Sequence, residues 1–271
     1  MRPIFILPAV VVLLSGLAGA ILWRADAPEP PPAALPVPPF PPRIAAGEIY
    51  EQCLAMLADD PDNGRQIADA WAASGGGDGA AHCQGLALIA TGAPIAGAER
   101  LERLALSSLA PDQARAVVFA QAAHARLMGE QPDRAFDNVT RALALTPGNT
   151  ELLIQRAEIS ATRERWEAAI NDLSQTLALD ARRADALVLR AIAWRRMNRL
   201  DMAMADADRA LALDPSNADA LLEHGIERQR LGDPAGARAD WQRARLMAPN
   251  STTADLAEQN LALLEAGPDQ R

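Results

Sequence analysis

Few residues of this chain have the type and spacing that catalysis or metal binding requires. Its three histidines, His82, His124 and His224, are far apart, and none lies in the helical pattern of a zinc hydrolase, where two histidines stand four residues apart. The glycine-rich run at residues 75–79 follows no strand, and the chain contains no lysine, so it forms no phosphate-binding loop. We therefore predict no catalytic residue, no metal ligand, no cofactor and no small-molecule substrate.

The cysteines Cys53 and Cys83 could support a second kind of chemistry. They are too far apart for the C-x-x-C motif of redox proteins or the C-x-x-C-H motif of haem attachment. An even number of cysteines in an exported chain favours a disulfide. The alternative is two buried free thiols.

Export itself is predicted from residues 1–23, where Arg2 precedes an uncharged apolar run that extends to Trp23. A cleaved signal peptide would use the small residues Ala18, Gly19 and Ala20, whereas an uncleaved transmembrane anchor would use the whole run of about 20 residues. Both alternatives place the remainder on the periplasmic side of a cytoplasmic membrane, either anchored or soluble.

Residues 24–42 form a proline-rich linker, with nine prolines in APEPPPAALPVPPFPP. Proline lacks the amide hydrogen that a helix needs, so this linker is expected to be extended polyproline II. It would serve as a spacer, or alternatively as a ligand for a proline-binding domain.

The composition of the remainder is that of a folded protein that does not bind nucleic acid. Hydrophobic residues make up 49% of the chain, enough for a core. The formal net charge of −9 opposes binding to phosphate backbones, which requires a concentrated positive face.

The helices that would position any site are expected to follow a sequence repeat of 34 residues. This is the spacing between Pro215 and Pro249. Pro147 lies on the same lattice, and Ala181 occupies the node that lacks a proline. The lattice divides the chain into four frames, residues 116–149, 150–183, 184–217 and 218–251.

Within these frames, small and large residues recur at fixed places. Frame positions 8, 20 and 27 are small, which lets two antiparallel helices approach closely, and positions 4 and 30 are large and apolar, which predicts an apolar stripe on each helix. The small residues are Ala123, Ala157, Ala191, Gly225, Ala135, Ala169, Ala203, Ala237, Ala142, Thr176, Ala210 and Ala244. The large ones are Phe119, Leu153, Leu187, Leu221, Leu145, Leu179, Leu213 and Met247.

This pattern, with the in-frame endings LALTPGN, LALDPSN and LMAPNS, resembles the tetratricopeptide repeat (TPR) family, whose unit is a helix-turn-helix. The resemblance implies an all-α fold, a right-handed α-solenoid of four TPR repeats over residues 116–251. Residues 43–115 are expected to form four helices, a capping hairpin and then a degenerate repeat, and residues 252–266 a C-terminal capping helix.

In TPR proteins the first helix of each repeat lines a concave face that binds partners. Carried over by position, this face has an apolar middle with polar edges, which suits a peptide or an amphipathic helix of another protein. The partner-binding residues implied are Ile154, Glu158, Val188, Ile192, Arg195, Leu222, Ile226 and Gln229. The alternative for each residue is that it packs against the next repeat.

The sequence therefore predicts a non-enzymatic scaffold for protein–protein interaction in the cell envelope. Similar exported proteins act in the assembly or maturation of envelope proteins such as c-type cytochromes. One alternative is an envelope enzyme or ligand-binding subunit whose site lies in the N-terminal helical region around His82. Another is a self-associating structural protein whose groove is filled by its own C-terminal helix or by a second copy of the chain.

Overall fold

The computed structural model describes residues 43–266, and these residues form thirteen α-helices. The predicted signal or anchor segment and the proline-rich linker lie outside the described residues. Within residues 43–266, no helix is long and apolar enough to cross a membrane. The helices are α1 (Glu48–Asp59), α2 (Pro61–Ala73), α3 (Gly77–Ala90), α4 (Pro94–Ser107), α5 (Asp112–Met128), α6 (Pro132–Leu145), α7 (Thr150–Thr162), α8 (Trp166–Leu179), α9 (Ala184–Arg196), α10 (Leu200–Leu213), α11 (Ala218–Arg230), α12 (Pro234–Met247) and α13 (Thr252–Ala266).

Each helix packs mainly against helices one or two places away in the chain. Contacts of this kind build a stack of hairpins in which every unit touches only its neighbours. The prediction of an all-helical solenoid is therefore confirmed, and packing around one central core is excluded for the described residues.

The helix starts follow the 34-residue lattice. Helices α7, α9 and α11 begin at the first residue of their frames and each contains 13 residues. Helix α5 begins four residues earlier, at Asp112, and contains 17 residues. One extra helical turn thus absorbs the residues inserted between α4 and the first frame.

Burial of the frame positions follows the expected pattern except at position 30. The small residues at positions 8, 20 and 27 are buried, and so are the large residues at position 4. At position 30, however, Leu179, Leu213 and Met247 are 56%, 40% and 49% exposed. The predicted inward apolar stripe was wrong there, because these residues end the second helix, beyond the reach of its partner.

The turn between the two helices of each of the four repeats contains one residue in the left-handed region. Glu130, Glu164, Asn198 and Gly232 have φ values of 57°, 56°, 59° and 90°, and they occupy the same frame position. Gly92 between α3 and α4, with a φ of 84°, is the equivalent residue of the degenerate repeat. Glycine and asparagine tolerate this conformation, whereas the two glutamates adopt it at a cost of about 1 kcal/mol or more each.

A recurring polar pair fixes the register of the two helices in each of the last three repeats. Arg156 donates to Asp172 at 2.6 and 2.8 Å, and Arg190 to Asp206 at 2.7 and 2.8 Å, with partners 16 residues apart. In the last repeat His224 takes the place of arginine, with Nδ1 lying 2.7 Å from Asp240 Oδ2. The carboxylates are nearly buried, so bidentate arginine contacts satisfy groups that would otherwise be costly to desolvate.

A disulfide between Cys53 and Cys83 joins α1 to α3, with the two Cα atoms 6.4 Å apart. Both sulfur-bearing side chains are buried in the same hydrophobic cluster, which runs from Ile44 to Ile159. The later repeats contain three separate, smaller clusters. The crosslink therefore lies in the region whose hydrophobic core is already continuous.

Candidate functional site

A groove of about 400 Å³ opens between the first helices of the last repeats. Helices α7, α9 and α11 present their first-turn and mid-helix side chains to it, and the first turn of α13 forms the remaining wall. Apolar side chains line its floor and carboxylates lie among them. The lining residues are Glu158, Asp185, Val188, Leu189, Ile192, Asn217, Asp219, Leu222, Glu223, Thr252, Thr253 and Leu256.

Of the residues predicted to bind a partner, Glu158, Val188, Ile192 and Leu222 line this groove. Val188 and Leu222 are 5% and 7% exposed, so they form the floor, while Ile192 is half-buried and Glu158 is exposed. The structure thus brings together side chains from three separate repeats.

The other predicted residues lie elsewhere. Ile154 is buried in the cluster that joins α7 to α9. Ile226 is half-buried against the cluster of Leu221 and Trp241, and Gln229 is half-buried without reaching the groove lining. For Ile154 and Ile226, packing between neighbouring helices describes the environment.

Arg195 connects two repeats instead of pointing freely into the groove. Its guanidinium donates to both carboxylate oxygens of Glu223 at 2.8 and 2.9 Å, and its Nε lies 3.5 Å from Glu227 Oε1. Arg195, one of the residues predicted to bind a partner, is therefore engaged within the protein, and an acidic group of a partner would have to displace Glu223 and Glu227 to reach it.

Residues of α13 complete the groove, and the sequence prediction did not include them. Thr252 follows Ala218 by one full period, so Thr253 and Leu256 occupy positions 2 and 5 of a fifth frame. Extending the lattice by one helix would have identified both. Thr253 Oγ1 donates to Asp219 Oδ1 at 2.5 Å, which ties the capping helix to α11 across the groove.

The charge of the groove is negative. Although Glu158 is exposed, partial desolvation of its carboxylate, together with the nearby Asp185 and Glu151, raises its pKa, whereas the Arg183 guanidinium lowers the pKa of Asp185. On α11, outside the groove lining, burial and the neighbouring Glu223 raise the pKa of Glu227 to about 7. Carboxylates thus crowd this part of the solenoid more densely than the available arginines can offset.

A second polar cluster lies in the N-terminal region, around His82. The Tyr50 hydroxyl lies 2.7 Å from His82 Nδ1, and His82 Nε2 lies 2.6 Å from Gln121 Oε1. Because an amide oxygen only accepts, His82 Nε2 donates, and the neutral ring then accepts the Tyr50 proton at Nδ1. Burial lowers the pKa of His82 to about 4 and raises that of Tyr50 to about 12, which agrees with both groups being neutral.

This Tyr50–His82–Gln121 chain links α1, α3 and α5 inside the core. The three residues are 1%, 1% and 3% exposed. A substrate therefore has no direct access to them, and we interpret the chain as a structural link. Across residues 43–266, no group of histidine, cysteine, aspartate or glutamate side chains could hold a metal ion.

Comparison with known proteins identifies the fold. No protein-family model matches the sequence, and no curated protein matches it. Among solved structures, the crystal structure of MamA is 15% identical, with 66% of this chain and 96% of MamA covered at a TM-score of 0.53. A chain of the APC/C hetero-tetramer Cut9–Hcn1 is 14% identical, with a TM-score of 0.55. The match covers 79% of this chain and 42% of that chain.

A third matching structure is described as a TPR protein. TTC0263, a thermophilic TPR protein in Thermus thermophilus, is 20% identical, with 69% of this chain and 99% of that protein covered at a TM-score of 0.52. The described part of the chain is thus an α-solenoid of helical hairpins. Its fold is that of the tetratricopeptide repeat proteins, as the 34-residue period predicted.

Proposed function

We infer that the chain is a non-enzymatic interaction scaffold that holds a segment of a partner protein in the groove between α7, α9, α11 and α13. The observation that carries this function is the floor of Val188, Ile192 and Leu222, three apolar side chains from two successive repeats that line an open depression. Apolar anchors in a concave site surrounded by polar groups are the usual means of holding a peptide or helix.

The capping helix supports a groove that stays open. Its residues Thr252, Thr253 and Leu256 form one wall of the groove, and Ala254 and Ala257 turn away into buried positions. A structural protein that used this helix to fill its own groove would place the larger side chains over the floor. Leu256 is instead 43% exposed.

The cellular setting is the second part of the proposal. The apolar run of residues 3–23 supports export, as a signal peptide or as an anchor, and the disulfide is typical of an oxidising compartment. The scaffold would then act on the outer side of the cytoplasmic membrane in the assembly or maturation of envelope proteins, c-type cytochromes being one such class.

The binding site is tested by selecting random peptides on the purified full chain and measuring their affinity for two double variants. Leu189→Ser with Leu256→Ser removes two leucines from the groove, while Leu231→Ser with Leu246→Ser removes two exposed leucines outside it. We expect at least a tenfold loss for the first variant and wild-type affinity for the second, with equal helical circular dichroism. Equal affinity for both variants would exclude the groove as the binding site.

Export is tested separately, by fusing residues 1–42 or the full chain to a reporter that is active only outside the cytoplasm. We expect both fusions to be active, and we expect this activity to be lost when residues 3–23 are deleted. Activity that persists without these residues would contradict the proposed export.

A further inference from the structure

The charge of the groove lining restricts the kind of segment that can bind there. Four of its lining residues are carboxylates, Glu158, Asp185, Asp219 and Glu223, and none is an arginine or a histidine. Since the chain contains no lysine, the lining presents no cation at all to a ligand. A segment with acidic side chains would therefore meet like charges.

Two arginines, Arg183 and Arg195, pair with carboxylates of the groove lining. Arg183 binds Glu151 at 2.6 Å and Asp185 at 2.7 Å, and Arg195 holds Glu223 in a bidentate pair. Their side chains are only 20% and 19% exposed. Neither is available to a ligand without the loss of a charge-assisted contact.

Glu158 and Asp219 are the carboxylates that these arginines leave unmatched. Among the described residues, Glu158 has no cation within ion-pair distance, and Asp219 accepts a hydrogen bond only from the neutral Thr253 hydroxyl. Partial desolvation, and after it the field of Asp185 and Glu151, raises the pKa of Glu158. A cation supplied by a ligand would relieve the repulsion, and it would act in a partly desolvated site where charge pairing is stronger than in open water.

We propose that the occupant is a cationic amphipathic segment of a partner protein, with leucine-like side chains on the apolar floor and arginine or lysine side chains at Glu158 and Asp219. This inference rests on the proposed function and specifies its partner. The apolar floor supplies binding energy, and the acidic lining selects the sign of charge and speeds the encounter.

The proposal is tested with three dye-labelled helical peptides of equal length, measured by fluorescence anisotropy on the full chain with its disulfide intact. The first combines leucine and arginine, the second leucine and glutamate, and the third serine and arginine. We expect the leucine–arginine peptide to bind at least tenfold more tightly than either of the others. Its affinity should also fall several-fold between low and high salt, since exposed charge pairs are screened.

Two double variants test whether the preference for a cationic peptide arises from the groove carboxylates. Glu158→Gln with Asp219→Asn keeps the shape and the hydrogen-bond acceptors of the groove but removes two charges, whereas Glu48→Gln with Asp62→Asn removes two exposed charges from α1 and α2. We expect a five- to tenfold loss for the leucine–arginine peptide in the first variant and no change in the second.

The outcomes separate this inference from the function on which it depends. If the leucine–glutamate peptide binds equally well, or if the groove charge variant binds like wild type while the Leu189/Leu256 variant does not, the groove binds apolar segments and the cationic partner is wrong. If the serine–arginine peptide matches the leucine–arginine peptide, binding is unspecific charge attraction, which also overturns the proposal. If no peptide responds to the Leu189/Leu256 substitutions, the proposed function itself fails.

Discussion

The N-terminal region, α1 to α6, and the later repeats, α7 to α13, are built from the same hairpin but held together differently. One hydrophobic cluster is continuous through α1 to α6 and extends into α7 as far as Ile159, and in α1 to α5 it is reinforced by a disulfide and by the Tyr50–His82–Gln121 chain. The later repeats contain separate clusters, connected by ion pairs such as that of Arg195 with Glu223. The groove lies in this second region.

The difference places the continuous core and the disulfide in one region, and the groove of the proposed binding site in the other. A continuous core leaves few apolar side chains for a partner, whereas interrupted clusters leave the apolar floor of Val188, Ile192 and Leu222 open between repeats. In a stack where each unit depends on its neighbours, the region with smaller clusters is also expected to open first.

The largest effect is expected from removing the main core side chain of each region. Trp241 is fully buried and donates from Nε1 to the Leu222 carbonyl at 3.2 Å, and Trp241→Ala is expected to cost about 3–5 kcal/mol. Leu101→Ala in the N-terminal region should cost about 2–5 kcal/mol. Hydrogen exchange should show α11 to α13 opening in the first variant with α1 to α6 still protected.

For Leu101→Ala we expect the opposite pattern of hydrogen exchange, with faster exchange in α3 to α6 and continued protection of α11 to α13. Uniformly faster exchange across residues 43–266 in both variants would mean that the two regions unfold as one unit, and the comparison would fail.

A smaller effect is expected from loss of the disulfide. The crosslink closes a loop of 30 residues, and its removal should cost about 3–4 kcal/mol on the chain-entropy model. Cys53→Ala with Cys83→Ala should therefore lower the denaturant midpoint of the N-terminal region, while peptide affinity at the groove stays at the wild-type value. A parallel loss of peptide affinity would show that the groove depends on the crosslinked region.

The smallest effect is a pair of opposite pH dependences. Glu227 has its pKa raised to about 7, so its contribution to stability is present below about pH 4.5 and is lost as the pH rises through 7. His82 has its pKa lowered to about 4, so its contribution is present above about pH 6.5 and is lost as the pH falls through 4.

Melting curves between pH 4 and pH 8 measure both dependences. Relative to wild type, Glu227→Gln should gain stability as the pH rises, and His82→Gln should lose less stability as the pH falls. Glu48→Gln, an exposed position on α1, serves as the control. Parallel curves for all three variants would contradict the two assignments.

The hairpins themselves could be predicted from the sequence because the information that forms them is local. Small residues at Ala157 and Ala169 permit close helix contact, and the repeated prolines and turn residues end helices at fixed intervals. Helices α7, α9 and α11 accordingly begin at the frame starts. The period of 34, together with the pattern of small and large residues and the in-frame endings, was sufficient to predict the fold.

The groove was predictable only in part. Val188, Ile192 and Leu222 follow from their frame positions, and Leu256 could have been found by extending the lattice by one helix. The pairing of Arg195 with Glu223 could not, because a frame position gives the direction of a side chain but not the partner that it meets on the next repeat.

The sequence by itself determined the repeat unit, its helix boundaries and its all-α class, because these depend on residues that are close along the chain. Only the tertiary structure decided which charges of the groove remain unmatched, since that depends on ion pairs between residues about 30 positions apart, as for Arg195 with Glu223 and Arg183 with Glu151. These pairs engage Arg183 and Arg195, so that among the described residues neither arginine pairs with the groove carboxylates Glu158 and Asp219.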